Sequence, residues 1–213
     1  MILQVEHITK SFGTKKVLDH VSFDVAEGEA VAILGANGAG KTTLLRIVNQ
    51  ILLPDEGNIC FEGHPMTPSD LASVGYLPEE RGLYRRMRAG EQAVYLARLK
   101  GMPRRDAVSA LRHWFDRLGI AEWWNLPVSR LSKGMQQKLQ FIVTVAHRPK
   151  LIILDEPFSG FDSDNAAMLI NEVQRLKHEG TAILLSTHNL AAADTLCDRT
   201  LHLSYTNPSS GHE

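Results

Sequence analysis

Three apolar runs stand out along the chain: Ala30-Val31-Ala32-Ile33-Leu34, Leu151-Ile152-Ile153-Leu154 and Ala182-Ile183-Leu184-Leu185. Uninterrupted runs of this length suit strands buried on both faces, as in a parallel sheet covered by helices. Ahead of the first run, apolar and polar positions alternate through Leu3, Val5 and Ile8, then Val17, Val21, Phe23 and Val25, with Gly13 and Gly28 as punctuation. That pattern predicts a small antiparallel sheet. A helix is predicted through Leu44, Leu45, Ile47 and Val48. From about Glu91 to Ala146 the period is helical, with one stripe at Val94, Leu96, Ala97 and Leu99 and another at Ala107, Leu111, Trp114, Phe115 and Leu118. Met168, Leu169, Val173 and Leu176 predict a further amphipathic helix ending near Gly180. Strand, helix, strand in that order predicts parallel pairing with right-handed crossovers.

The expected fold is therefore α/β: a mixed or parallel core sheet, an N-terminal antiparallel β subdomain and an inserted α-helical subdomain. Residues 1–84 and 150–203 form the core with its antiparallel part, and 85–149 form the helical insertion. The polar stretch 204–213, with Pro208 and Gly211, is expected to be disordered. A chain of 213 residues, 44% hydrophobic and 22% charged, supports one sizeable core. The formal net charge of −1 argues against a nucleic-acid partner. Cys60 and Cys197 lack metal-ligand spacing and read as thiols in a reducing compartment. No signal peptide or membrane-spanning run is found, so any membrane role is expected to come through a partner.

The first apolar run leads into Gly35-Ala36-Asn37-Gly38-Ala39-Gly40-Lys41-Thr42, followed by Thr43. Every fixed position of the P-loop pattern is filled, with a buried strand before it and a helix after it. Glycines let the backbone close around phosphate with its N–H groups turned inward. The helix N-terminus adds partial positive charge. Lys41 is expected to meet the β- and γ-phosphates, and the Thr42 hydroxyl to ligate Mg²⁺. Alone, this segment means a P-loop NTPase of unspecified kind.

The second run ends in Asp155-Glu156-Pro157. Doubly wound sheets bind ligands beyond the carboxyl ends of their strands. Asp155 is therefore expected to hold Mg²⁺, directly or through water. Glu156 is expected to face the water attacking the γ-phosphate, as general base or orienting group.

Leu131-Ser132-Lys133-Gly134-Met135-Gln136-Gln137-Lys138 precedes that strand. With the two motifs above, it resembles the ATP-binding domains of the ABC superfamily, whose signature reads Leu-Ser-Gly-Gly-Gln. The resemblance covers nearly the whole chain. It implies that Ser132 and Gly134, opening a helix from Met135 to about Ala146, form a second anion site. In the family that site closes over ATP held by the P-loop of another subunit. It further implies that Phe12 stacks on adenine, the alternative being a core residue. Ser159-Gly160-Phe161-Asp162 looks like the loop that communicates across the dimer. Ser186-Thr187-His188 looks like a switch segment, with His188 contacting the γ-phosphate.

Three positions depart from the family pattern. Glu79 follows Tyr76-Leu77-Pro78 where a Gln is usual, adding a carboxylate that could still ligate metal or water, with Arg81 available to offset it. Lys133 replaces a signature glycine, and Met135 its glutamine. The combination resembles a bacterial and archaeal exporter branch associated with drug or sodium efflux, whose members often carry a further C-terminal domain. The resemblance implies an ATPase with ATP and Mg²⁺ as cofactors. Its expected partners are a second ATP-binding subunit, most simply another copy, and a membrane-embedded permease touched by the segment from Glu79 to about Arg88. The expected location is cytoplasmic, peripheral on the inner face of the membrane. The alternatives are a non-transport relative acting on ribosomes or DNA, and a regulatory subunit that binds nucleotide without hydrolysis.

Overall fold

The computed structural model describes residues 1–80, 82–159, 162–188 and 190–204, the Ala192 side chain excepted. The expectations that fall on Arg81, Gly160, Phe161 and 205–213 lie outside the described residues.

Strands β1 (Leu3–Phe12), β2 (Lys15–Val25), β4 (Glu56–Phe61) and β5 (His64–Pro65) form an antiparallel sheet in the order β2-β1-β4-β5. Leu3, Val5 and Ile8 are all buried although the last step is three residues. A register shift between Val5 and Ile8, with His7 at φ 52, absorbs the extra residue and returns Ile8 to the inner face.

Strands β3 (Ala30–Leu34), β6 (Val74–Leu77), β7 (Leu151–Asp155), β8 (Ala182–Thr187) and β9 (Arg199–His202) form the second sheet, ordered β6-β7-β8-β3-β9. Its pairings are parallel throughout. The three apolar runs become β3, β7 and β8, and every residue of these strands is buried. Their alternate residues feed two cores. Ile152, Leu154, Ile183 and Leu185 pack toward one face, and Leu151, Ile153, Ala182 and Leu184 toward the other. Arg199-Thr200-Leu201-His202 carries no apolar run, and the sequence pattern did not mark β9 as a strand.

Helices α1 (Lys41–Val48), α5 (Ser163–His178) and α6 (Leu190–Leu196) accompany this sheet, and α2 (Ala89–Leu99), α3 (Arg104–Arg117) and α4 (Lys133–Val145) lie between β6 and β7. The α3 stripe is buried as predicted. The α2 stripe is so only in part: its Ala97 is buried together with Ala89 and Ala93, and Val94 packs against the core, whereas Leu99 is 66% exposed. Small residues win there because α2 runs close to Trp124; a Cβ added to Gly90 would sit 2.4 Å from the indole. Helix α4 starts at Lys133, two residues earlier than expected, because Ser132 itself is the N-cap. Among the described residues no helix is long and apolar enough to cross a membrane.

Candidate functional site

Parallel pairing puts the carboxyl ends of β3, β8, β7 and β6 on one edge, in the registers Leu34↔Thr187, Asp155↔Ser186 and Leu77↔Leu154. The phosphate-loop segment follows β3, His188 follows β8, Glu156 follows β7 and Glu79 lies just beyond β6. Positions as far apart in sequence as Asn37 and His188 thus meet at one place.

In the loop between β3 and α1, Gly38 and Gly40 have φ 83 and 98. At Gly40 a Cβ would also strike Leu18 Cδ2 at 2.9 Å, so the residue serves both the turn and the close approach of β2. Lys41 Nζ donates to Gly35 O at 2.7 Å and Ala36 O at 3.3 Å, and stands 3.7 Å from Glu156 Oε1. Asn37, Gly38, Gly40, Lys41, Thr42 and Thr43 line a cavity of about 650 Å³, joined by Glu79, Glu156, Ser159 and His188. Phe12 stands at this cavity, half exposed, and is not a core residue. Gly35 and Ala39 lie behind the loop, Ala39 buried and Gly35 against Leu203.

Asp155 is buried beneath the cavity. Its Oδ1 accepts from Thr42 Oγ1 at 3.2 Å and from Ser186 Oγ at 2.5 Å, while its Oδ2 is buried with no partner. A buried carboxylate oxygen without a donor is costly unless something cationic meets it. This donor set fits a hard divalent cation such as Mg²⁺, which would be held by Asp155 and Thr42 with Glu79 nearby. Burial, and then the charge of Asp155, hold the Tyr76 phenol above its ordinary range.

Glu156 has φ 47, a left-handed backbone that costs a non-glycine residue roughly 1–3 kcal/mol. Its N–H is gripped by Ser186 O at 3.1 Å and Ser186 Oγ at 3.2 Å. The strained turn aims the side chain between two nitrogens, with Oε1 toward Lys41 and Oε2 2.9 Å from His188 Nδ1. Ser186 thus braces the Asp155 carboxylate and the backbone of Glu156. Sequence places it in the switch segment before His188 without a role of its own. Lys15 and Val17 also line the cavity beside Phe12 and were not foreseen there.

The signature residues lie elsewhere. Ser132 Oγ accepts from Met135 N at 3.3 Å, and Ser132 N donates back to Met135 Sδ at 3.4 Å. Methionine thereby closes a capping box in which Glu or Gln is usual. Ser132, Gly134, Met135 and Lys138 share a second cavity of about 290 Å³ with Asp162 and Asn165. Asp162 caps α5, its Oδ1 accepting from Asn165 N at 2.8 Å. Backbone and side-chain donation by Asn165 hold its carboxyl below the usual range. The two cavities share no lining residue. Within one chain, Ser132, Gly134 and Asp162 are therefore not brought to Lys41.

A parallel sheet with a phosphate loop after one strand, an acidic pair after another and an inserted strand between them defines a P-loop NTPase. Residues 18–159 match the ABC transporter family. The chain is 47% identical over 197 residues to the ABC transporter ATP-binding protein YhaQ of Bacillus subtilis, covering 92% of this chain and 66% of that protein. It is 35% identical to the Nod factor export ATP-binding protein I of Sinorhizobium fredii, covering 92% and 58%. A solved ATP-binding subunit of an ABC transporter superposes with TM-score 0.89 at 30% identity, covering 96% of this chain and 87% of that one. The chain belongs to the ATP-binding domains of ABC transporters, a family of ATPases. It spans about two thirds or less of the length of these two curated relatives.

Proposed function

We propose that this chain is the ATP-hydrolysing subunit of an exporter-type ABC transporter and works as one half of a homodimer that closes over two ATP molecules. What carries the reading is the separation of its two anion-seeking surfaces. Lys41 and the loop N–H groups line one cavity, Ser132 and Gly134 line another, and a second copy can bring the two together. The helix N-terminus behind Ser132 favours phosphate charge.

In the closed pair, Lys41 exchanges the Gly35 and Ala36 carbonyls for β- and γ-phosphate oxygens. Phe12 stacks on the adenine, and Asn37 to Thr43 wrap the phosphates. The Glu156 carboxylate takes a proton from water as its oxygen attacks the γ-phosphorus. His188 fixes the orientation of that carboxylate and contacts the γ-phosphate. The bond to the β-phosphate oxygen breaks, and ADP and phosphate leave. Mg²⁺, when bound by Thr42 and Asp155 with Glu79 as a further ligand or water-holder, supplies charge neutralisation to the phosphates. Loss of the γ-phosphate removes the bridge between Lys41 and the partner's Ser132 surface, and the halves separate. Asp162, which lines the Ser132 cavity, would lie at the same seam.

The segment from Glu79 to about Arg88 joins the core to the helical part, which we place at 85–149, and is proposed to touch the permease. Tyr84, 53% exposed, lies on it. Such a subunit works on the cytoplasmic face of the membrane. Export rather than import is supported by the printed name of the Nod factor relative.

A complementation experiment tests the composite site. Lys41→Ala destroys the phosphate loop, and Gly134→Asp puts a carboxylate into the signature, where a Cβ meets only Asn165 Nδ2 at 3.9 Å. Each variant alone should be inactive. Mixed in equal amounts, they should recover up to roughly a quarter of wild-type ATPase, from the heterodimers that hold one intact composite site. No recovery would sink the sandwich.

A further inference from the structure

His7 and His20 face each other across β1 and β2, and neither lines the nucleotide cavity. Their ring centroids stand 6.5 Å apart, edge to face. Each residue sits at a bulge. From Val5 to Ile8 the chain advances one residue further in β1 than β2 does opposite it, and from Ile8 to Lys10 the extra residue lies in β2. The two histidines occupy these two bulges, at φ 52 and φ 49. A left-handed backbone is uncommon for a residue with a side chain, and bulges re-aim side chains. The re-aimed pair is held reciprocally. Ser22 Oγ on β2 accepts from His7 N at 2.8 Å, and Thr9 Oγ1 on β1 accepts from His20 N at 3.2 Å. His20 Nδ1 stands 2.7 Å from Asp19 Oδ1. A carboxylate can only accept, so that nitrogen carries the hydrogen and Nε2 keeps a lone pair. The hydrogen bond from Lys16, 3.0 Å long, and then that from His20 hold the Asp19 carboxyl below its usual range, so it stays an acceptor. His7 Nδ1 lies 3.5 Å from Ser22 Oγ, whose second lone pair can take its hydrogen. Both Nε2 atoms then present lone pairs, as an acceptor behind the imidazole arranges in metal-binding histidines.

We propose that His7 and His20 form a zinc-binding pair that staples β1 to β2, with Asp19 as the positioning residue behind His20. Imidazole nitrogen suits zinc, which accepts a tetrahedral shell. An ion about 2.0–2.1 Å from both Nε2 atoms puts the ring centroids roughly 5.2 Å apart, about 1.3 Å closer than they stand. Both side chains are exposed, so small rotations about their own bonds supply that closure without moving the strands. Among the described residues no three ligating side chains converge on one metal position, so water completes the shell. The staple crosses the sheet where both strands are irregular, and fixes there a register that the bulges interrupt.

The test titrates the full, untagged chain with Zn²⁺ in a calorimeter, without nucleotide, and melts it with and without the metal. His7→Asn and His20→Asn remove an imidazole and leave a residue that tolerates the left-handed backbone. If one of them fails to fold, the other carries the test. Wild type should take up zinc at this pair and melt higher with it, because a ligand of the folded state stabilises that state. Each histidine variant should bind zinc at least about tenfold more weakly and lose the rise in melting temperature, and Asp19→Asn should weaken binding about tenfold. His64 and His188 also stand beside carboxylates, Asp70 and Glu156, so His64→Ala and His188→Ala are the controls and should bind zinc as wild type does. Zinc held as tightly by His7→Asn and His20→Asn as by wild type overturns the proposal. So does a loss that follows His64 or His188 instead, or a wild-type chain that takes up no zinc.

Discussion

Thr42 Oγ1 donates to Asp155 Oδ1 over 3.2 Å, joining the first turn of α1 to the end of β7 across 113 residues. The bond ties the residue after the phosphate-loop lysine to a carboxylate whose other oxygen is buried and unpartnered. Two opposed consequences follow for Asp155→Asn. Removing a buried charge should leave the free protein's melting temperature equal or higher. The rise in melting temperature produced by Mg·ATP should shrink, because the cation loses a ligand and ligand stabilisation tracks affinity. A thermal-shift titration of ATP with and without Mg²⁺ measures both. A normal Mg·ATP-induced shift would remove Asp155 from the metal role.

Glu156→Gln keeps the side chain's shape and removes its basicity. Hydrolysis should fall about 10²–10⁴-fold, the usual contribution of a positioned base, while ATP binding persists. The variant should accumulate as an ATP-dependent dimer in size-exclusion chromatography. Turnover within twofold or so of wild type would exclude the base role.

Glu79 adds a carboxylate at the nucleotide cavity. Glu79→Gln should raise the free Mg²⁺ giving half-maximal ATPase by about fivefold, because one anionic oxygen fewer faces the cation. Half-saturation at the wild-type Mg²⁺ concentration would show that Glu79 does not meet the metal.

His147 lies far from the chemistry, and its stability consequence has a definite sign. Burial first, then the charge of Lys100, push its imidazole down to about 4, against the opposing pull of the Val74 carbonyl. The unfolded chain binds this proton from about pH 6.5 downward, and the folded chain only near 4. Stability from this group is complete above the unfolded value and is lost as pH falls through the window. The slope approaches about 1.4 kcal/mol per pH unit. Urea midpoints at pH 7 and pH 5 should therefore differ more for wild type than for His147→Gln. Equal differences would refute it.

Much of the site was legible in sequence because phosphate chemistry demands particular atoms at fixed spacing. A loop that wraps phosphate needs glycines where φ is positive, as at Gly38 and Gly40, and a cation immediately after. The buried runs before Lys41, Asp155 and His188 placed each at a strand's carboxyl end. The α2 stripe was placed only in part, at Val94 and Ala97, because periodicity reports apolar residues, whereas close packing against Trp124 selects a small one at Gly90. Ser186 was placed in the switch segment but given no role of its own, because its meaning comes from Asp155 lying opposite it in register.

The sequence by itself determined the three buried strands, the phosphate loop, the acidic pair and the signature segment, since each depends on neighbours within one strand or turn. Tertiary structure alone decided that β8 lies between β3 and β7, which brings His188 to Glu156. It also decided that Lys100 and His147 meet the Val74 carbonyl at the open edge of β6, and that Ser132 lies in a different cavity from Lys41. Strand order and edge capping are set by long-range burial of backbone and side chains, which local periodicity cannot encode.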